Sequence, residues 1–193
     1  MALRAVVFDV GETLIDESRL WERAADTVGA PRFTVMGIVG GLAARCEHHR
    51  RVWELLGVEP PPATWDSEDF YPDAVSALAA LRAHGLRVGA VGNTLTDAED
   101  LLREHVDLVG SSTRWGVEKP ARAFFERVVS ECGVAPDEIA YVGDRVDNDI
   151  QPALAAGMVS VHVRRGPWCH LHEAPPAALT IDSLNELPEA LGV

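Results

Sequence analysis

The sequence predicts an α/β protein with a Rossmann-like parallel sheet, helices on both faces of that sheet, and a small inserted α-helical cap. Two observations support this fold class. Short apolar runs alternate with helical stretches along most of the chain, which is typical of a parallel sheet with right-handed crossovers. One segment breaks the alternation, because residues 16–70 contain only helical or irregular sequence. We therefore expect a core of residues 1–15 and 71–193, with residues 16–70 as the cap.

The strands are expected where short apolar runs occur, since a parallel strand is buried on both faces and lacks polar alternation. The first run is Ala5-Val6-Val7-Phe8, directly after the amino terminus. Further strands are expected at residues 86–91, 138–142 and 159–163, with a short edge strand at residues 179–181.

The helices of the core are predicted from their ends. A glycine just beyond a helix adopts the left-handed conformation without strain. Three helices are expected to end in this way: residues 71–84 before Gly85, residues 120–132 before Gly133, and residues 149–156 before Gly157. Thr96-Asp97-Ala98-Glu99 has the pattern of a capping box, which predicts a helix running to His105.

The inserted segment carries three helical patterns, at residues 18–28, 34–46 and 47–56. The proline-rich stretch Glu59-Pro60-Pro61-Pro62 follows them and leads back to the core. Because the segment lies between the first strand and the helix that feeds the second, we expect it to project from the carboxyl edge of the sheet.

The charge pattern argues against a nucleic-acid or membrane partner. The formal net charge is −13 and no basic stripe interrupts it, whereas binding to phosphates or anionic lipids needs clustered Lys and Arg. No apolar run approaches the length that spans a bilayer. Three widely spaced cysteines suggest free thiols in a reducing compartment. We expect a cytoplasmic protein, and the sequence leaves its oligomeric state open.

Polar clusters follow the predicted strands. They comprise Asp9 to Thr13, the loop Gly92-Asn93-Thr94, and Asp144 with Asp149, while Lys119 is the only lysine beside sixteen arginines. The carboxyl ends of parallel strands form one crevice, so these residues should converge there. Clustered carboxylates suit Mg²⁺, and a lysine ammonium offsets the repulsion between a carboxylate nucleophile and an anionic substrate.

The same residues resemble the four motifs of the haloacid dehalogenase-like (HAD) hydrolase superfamily. In order, the motifs are Phe8-Asp9-Val10-Gly11-Glu12-Thr13-Leu14, Val91-Gly92-Asn93-Thr94, Glu118-Lys119-Pro120, and Tyr141-Val142-Gly143-Asp144-Arg145-Val146-Asp147-Asn148-Asp149. The similarity covers about residues 5–165, with the insertion where the superfamily has its helical cap.

The resemblance implies catalytic roles for three residues. Asp9 would attack the substrate and form a covalent aspartyl intermediate, Lys119 would contact both Asp9 and the transferring group, and Thr13 would support the loop. Gly92, Asn93, Thr94 and Lys119 would bind the substrate.

The resemblance also implies a Mg²⁺ ion. Asp9, the Gly11 carbonyl and Asp144 would hold it, with Asp149 as a direct or water-mediated partner. The structural alternative for Asp144 is a plain cap of the helix that follows it.

Two departures from the motifs bear on turnover. Gly11 stands where the superfamily's phosphatases have an aspartate that protonates the leaving group, and such acid–base help is typically worth about 10²–10⁴-fold in rate. Glu12 is adjacent and is a candidate substitute. Gly92 replaces a Ser or Thr whose hydroxyl contacts the transferring group.

The favoured hypothesis is a Mg²⁺-dependent hydrolase acting on a small, anionic phosphorylated metabolite, with turnover that is weak because the acid is missing. The alternative is a non-catalytic phosphate- or metabolite-binding or regulatory module. A haloacid dehalogenase is a lesser alternative, since the fourth motif has the metal-binding form. A Schiff-base route is disfavoured because the insertion contains no lysine.

Two histidine-containing clusters stand outside these motifs. Cys169-His170-Leu171-His172 matches no usual zinc spacing and is interpreted as a polar loop. His48-His49-Arg50-Arg51 is interpreted as a solvated helix face, the alternative being that these cations meet an anionic substrate.

Overall fold

A parallel sheet of six strands runs through the protein in the computed structural model, which describes residues 2–62 and 64–193. The strands are β1 (Ala5–Phe8), β2 (Arg87–Gly92), β3 (Leu108–Ser111), β4 (Ile139–Gly143), β5 (Val159–Val163) and β6 (Leu179–Ile181). Their order across the sheet is β3-β2-β1-β4-β5-β6, and every neighbouring pair is parallel. The predicted fold class is confirmed.

The sequence analysis missed strand β3. Its sequence, Leu-Val-Gly-Ser, has only two apolar side chains, so it does not stand out as an apolar run. The strand forms because it pairs with β2, from Gly89↔Leu108 to Gly92↔Ser111. The other strands lie at their predicted positions or are shifted by one residue.

Helices cover both faces of the sheet. In the described part of the chain, those outside the insertion are α4 (Ala74–Ala83), α5 (Asp97–Leu102), α6 (Ser112–Trp115), α7 (Arg122–Cys132), α8 (Gln151–Ala155) and α9 (Leu187–Leu191). A π-helical turn, Val146–Ile150, leads into α8, so this helical stretch begins earlier than predicted. Gly85, Gly133 and Gly157 have positive φ angles of 81°, 66° and 83°, as expected for helix ends.

The predicted capping box at Thr96 is wrong. Thr96 has helical backbone angles and its side chain caps no backbone N–H. Glu99 is instead buried, and its carboxylate accepts hydrogen bonds from Ser111 Oγ (2.6 Å) and Arg114 Nε (2.9 Å). The acidic side chain therefore ties α5 to the end of β3 rather than to its own first turn.

The described part of residues 16–70 contains three α-helices, α1 (Ser18–Thr27), α2 (Arg32–Ala43) and α3 (Arg51–Leu56). The last begins four residues later than predicted, because residues 47–50 form turns or irregular chain. The helices bury their own apolar cluster, which includes Trp21, Leu42 and Trp53. The two ends of the segment are joined, since Asp16 N donates to Asp69 O (2.8 Å) and Tyr71 N donates to Leu14 O (2.9 Å).

The core of the sheet is divided between its two faces. Side chains alternate along a strand, so Val6 and Phe8 of β1 belong to one apolar cluster and Ala5 and Val7 to the other. Burial on both sides explains why the β1 sequence lacks polar residues. No helix among the described residues is long and apolar enough to cross a membrane. The three cysteines carry free thiols, as predicted.

Candidate active site

The Lys119 ammonium lies between two carboxylates at the carboxyl edge of the sheet. Its Nζ is 2.5 Å from Asp9 Oδ1 and 2.6 Å from Asp149 Oδ1, and all three side chains are buried. Burial alone would favour the neutral amine, but Asp149 and Asp9 hold the pKa of Lys119 well above its ordinary value. The ammonium is therefore a fixed positive charge beside Asp9.

Asn93, expected to bind substrate, holds the backbone of Lys119. Its Nδ2 donates to the Lys119 carbonyl (2.9 Å), and the Lys119 N–H donates to Asn93 Oδ1 (2.7 Å). Both polar atoms of the amide are thus engaged by the backbone of one residue, Lys119. The loop after β2 positions the lysine through this pair of hydrogen bonds.

Three carboxylates converge on one point. Asp9, Asp144 and Asp149 each offer an oxygen, and these oxygens lie within 4.8 Å of one another. Asp144 Oδ2 is buried and has no hydrogen-bond partner among the described residues. Burial, together with the neighbouring carboxylates, raises the pKa of Asp144 well above its usual range and that of Asp149 to about 7. Clustered like charges and an oxygen without a donor fit a hard divalent cation such as Mg²⁺.

Gly143 allows Asp149 to reach this cluster. A Cβ atom at position 143 would lie 2.6 Å from both Cβ and Cγ of Asp149, closer than any real side chain tolerates. The π-helical turn carries Asp149 back over the end of β4, where its Oδ2 accepts from the Arg145 N–H (3.2 Å). Such turns are common at functional sites.

Thr13 stabilises the loop after β1 through its backbone. Its carbonyl accepts a hydrogen bond from Arg165 Nη1 (3.1 Å), whereas its buried hydroxyl has no partner among the described residues. The same loop is closed by the Val10 carbonyl, which accepts from the N–H groups of Leu14 (2.8 Å) and Ile15 (2.9 Å).

Gly92 packs closely against Asp9. A Cβ atom at position 92 would lie 3.2 Å from Asp9 Oδ1 and 3.1 Å from a methyl carbon of Val10. Thr94 is buried, and its carbonyl accepts from Thr113 Oγ1 (3.1 Å). Both Asn93 and Thr94 line the cavity above Asp9.

Glu12, the candidate substitute for the missing acid, has both carboxylate oxygens engaged. Its Oε1 accepts from the Glu17 N–H (3.0 Å) and its Oε2 accepts from Tyr71 OH (2.7 Å). Burial raises the pKa of Glu12 despite these hydrogen bonds. The residue anchors the start of α1 to the core.

Sequence reasoning missed Glu17. A Cβ atom placed on Gly11 would overlap Glu17 Oε1 and lie 2.9 Å from its carboxyl carbon. Burial, with Glu12 nearby, raises the pKa of Glu17 to about 8. The only signal in the sequence was an acidic pair, Asp16-Glu17, shortly after the first motif, and the spacing does not show that the chain folds back on Gly11.

A cavity of about 960 Å³ opens above these groups. One wall consists of the sheet edge, including Asp9, Lys119 and Asp144. The opposite wall belongs largely to the inserted segment and includes Trp21, Trp53, Trp65 and Pro60 to Pro62. Trp168, at the carboxyl end of the sheet, also contributes.

The interpretation of His48 to Arg51 as a solvated helix face is confirmed in part, since His48, Arg50 and Arg51 are exposed but α3 begins only at Arg51. Residues 48–50 lie in the turn before α3, and all three line the cavity. His49 sits between the rings of Trp21 and Trp168, at 5.6 and 5.9 Å, and burial lowers its pKa to about 3. The region is therefore less cationic than its sequence suggests. Arg50 is exposed and has no ion-pair partner among the described residues.

Cys169 and His170 lie in a 3₁₀ turn, Trp168–His170, and Leu171 and His172 directly follow it. Cys169 Sγ donates to the Gly166 carbonyl (3.3 Å) and His162 Nε2 pairs with the Asp144 carbonyl (2.9 Å).

Comparison of the sequence with known proteins identifies a family for this chain. The model of the haloacid dehalogenase-like hydrolases matches residues 37–157. A protein of Methanopyrus kandleri named glyceraldehyde 3-phosphate phosphatase is 32% identical, over 86% of each chain. A protein of the same name from Methanocaldococcus jannaschii is 36% identical over 61% of this chain, which spans only 54% of that relative's length.

Solved structures show the same architecture. A HAD phosphatase from Thermococcus onnurineus superposes with a TM-score of 0.68, covering 98% of both chains at 22% sequence identity. Identity this low supports the fold alone. The family model and the Methanopyrus relative establish family membership as well as fold. The chain belongs to the haloacid dehalogenase-like hydrolase family.

Proposed function

We propose that the chain is a Mg²⁺-dependent phosphatase that acts on a small phosphorylated metabolite. The observation that carries this proposal is the buried Lys119 ammonium between Asp9 and Asp149, beside the unpartnered oxygen of Asp144. The two relatives named glyceraldehyde 3-phosphate phosphatase support the reaction class.

The residues have the following roles in the proposed reaction. Asp9 attacks phosphorus, so that an Asp9–phosphorus bond forms while the bond from phosphorus to the leaving oxygen breaks. Water then hydrolyses the aspartyl phosphate and restores Asp9. Lys119 places a permanent positive charge beside the oxygens of the transferring group, where such fixed charge contributes most.

Asp9, Asp144, Asp149 and the Gly11 carbonyl are the groups that would hold Mg²⁺. When bound, the ion neutralises the negative charge of the phosphoryl oxygens. The donor set is all oxygen, as this ion prefers. Asn93 holds the backbone of Lys119 in place and does not itself contact the reacting atoms.

We also propose that residues 16–70 form a cap over the site. In support, these helices pack around an apolar cluster to which only Trp168 among its buried members comes from outside the segment, and the ends of the segment are joined to each other. The cap wall is mainly aromatic and apolar, which suits a substrate with an apolar body attached to its phosphate. Arg50 is the cap cation that is free to meet an anionic group of the substrate.

The second candidate is a phosphate- or metabolite-binding module without efficient turnover. Two glycines favour it, because Gly11 offers no acid and Gly92 no hydroxyl to the reacting group. The dehalogenase alternative is disfavoured by the cluster of three carboxylates, of which Lys119 pairs with only two, so that Asp144 remains for a cation.

Phosphate release from an aryl phosphate, with Mg²⁺ and with EDTA, tests the proposal. We expect Mg²⁺-dependent release from the wild type and none from Asp9→Asn, because the amide cannot serve as the nucleophile. Asp137→Asn, which changes an exposed aspartate far from the cavity, is the matched control and should retain activity. Release that survives Asp9→Asn contradicts the proposal, and folded wild type without any release supports the binding module.

A further inference from the structure

We propose that Glu17 supplies the acid and base function that Gly11 cannot supply. This inference rests on the proposed function. Cleavage of a phosphate ester leaves an alkoxide, which needs a proton as it departs. The donor must therefore be a carboxyl group that faces the cavity near Asp9 and retains an oxygen without another partner.

The described carboxyl groups around Asp9 can be compared one by one. Asp149 is paired with Lys119 and with the Arg145 N–H. Asp144 is buried and is one of the three carboxylates of the candidate cation site. Glu12 has both oxygens bound, by Tyr71 and by the start of α1. Glu12 and Asp149 therefore have no free oxygen to offer, and the free oxygen of Asp144 belongs to the candidate cation site.

Glu17 meets the requirement. Its Oε2 accepts a hydrogen bond from Trp21 Nε1 (3.3 Å), and no described residue donates to its Oε1. This second oxygen lies against Gly11 and would overlap a Cβ atom placed there. The carboxyl group thus fills the volume that a side chain at position 11 would occupy, and it lines the cavity with Asp9.

The surrounding residues hold Glu17 in place. Its backbone N–H donates to Glu12 Oε1, and Glu12 is held by Tyr71 OH. The indole of Trp21, one turn along α1, holds the other side of the carboxyl group. A carboxyl group fixed at its backbone and at one oxygen has little freedom to leave this position.

The proton balance is complete with the groups present. As the Asp9–phosphorus bond forms and the ester bond breaks, the Glu17 carboxyl gives its proton to the leaving oxygen. The resulting carboxylate takes a proton from the water that attacks the aspartyl phosphate. Phosphate leaves, and both Asp9 and Glu17 return to their starting states.

The test compares Glu17→Gln with wild type on phosphate monoesters whose leaving groups range from p-nitrophenol to a simple alcohol. We expect a loss of about 10²–10⁴-fold for the alkyl ester, the usual range for a lost general acid. The loss of ester cleavage should be far smaller for p-nitrophenyl phosphate, whose leaving group departs without a proton. Covalent phosphate on the protein, measured by intact mass, should accumulate in the variant because the attacking water has lost its base.

Glu22→Gln is the matched control. Glu22 lies in the same helix, but its carboxylate pairs at the surface with Arg32 and should leave the leaving-group dependence unchanged. If Glu17→Gln behaves as Glu22→Gln while Asp9→Asn is inactive, the assignment of Glu17 is overturned and the proposed function stands. Wild type without Mg²⁺-dependent release or covalent phosphate overturns both.

A second variant pair decides the matter should Glu17→Gln fold poorly. Gly11→Asp alone should lower activity, because its side chain would collide with Glu17. Combined with Glu17→Ala, the new carboxyl group has room, and activity on the alkyl ester should exceed that of Glu17→Ala alone at least tenfold. Equal harm from Gly11→Asp in both backgrounds would show that the two side chains do not share one place, and would overturn the inference.

Discussion

The two walls of the cavity differ in what holds them together. The sheet edge concentrates buried charge, with Asp9 and Asp149 paired to Lys119 and Asp144 partly unpaired. The wall from residues 16–70, which we propose to be a cap, consists largely of tryptophan and proline side chains, and few of its groups carry charge. On the proposed function, the sheet edge would carry out the chemistry and the other wall would select the substrate. Glu17 links the two walls, since it directly precedes α1 and its carboxyl group lies against Gly11.

The largest effect should follow from removing the positive charge of Lys119, which balances the carboxylates at the sheet edge. Lys119→Met leaves Asp9 and Asp149 buried without a counter-ion, and breaking a buried pair typically costs about 3–5 kcal/mol. We expect a loss of this size in the free energy of unfolding, measured by urea denaturation without metal, and no phosphatase activity.

The matched control is Arg122→Met, because the Arg122–Glu126 pair lies on the exposed face of α7. A surface pair of this spacing contributes about 0.3–0.5 kcal/mol. Equal losses in the two variants would show that Lys119 is not a buried counter-ion.

The next effect concerns the cation. A ligand at 100 times its Kd stabilises the folded state by about 2.7 kcal/mol. For a chain of this size, that corresponds to a rise in Tm of about 5–10 °C with Mg²⁺. Asp144→Asn should abolish the rise, since it neutralises a carboxylate of the cluster without changing its size. An equally large rise in Tm in Asp144→Asn would show that Mg²⁺ binds at another site.

The smallest effect belongs to the cap wall. Arg50→Gln should raise KM for an anionic substrate about tenfold, equivalent to about 1.4 kcal/mol, and leave kcat nearly unchanged. Arg51→Gln is the control, because Arg51 faces the surface and pairs with Glu47 and Glu54. A fall in kcat with KM unchanged would mean that Arg50 acts on the reacting group rather than on the body of the substrate.

Topology explains why much of the site could be placed from sequence. Asp9 and Asp144 each follow an apolar run, and parallel strands bring their carboxyl ends together whatever the distance along the chain. Strand β3 lacked such a run, so the position of Lys119 was inferred from charge rather than from a strand.

Contacts that depend on the path of a loop could not be placed in this way. Asn93 has a polar side chain of the kind that often contacts a ligand. Its amide nevertheless forms hydrogen bonds with the backbone of Lys119. Glu12 lay nearer to Gly11 in sequence, but its positive φ of 54° directs it toward Tyr71, while Glu17 returns to Gly11. Adjacency in sequence was therefore a poor guide to which carboxyl group occupies the vacant volume.

The most direct test of the central claim is to detect phosphate bound covalently to Asp9. The protein is incubated with an aryl phosphate and Mg²⁺, quenched in acid, and analysed by intact mass and peptide mapping. We expect phosphate on Asp9 in the wild type, more of it in Glu17→Gln, and none in Asp9→Asn or in EDTA. Turnover of the ester with no phosphate on Asp9 in either active protein would contradict this claim.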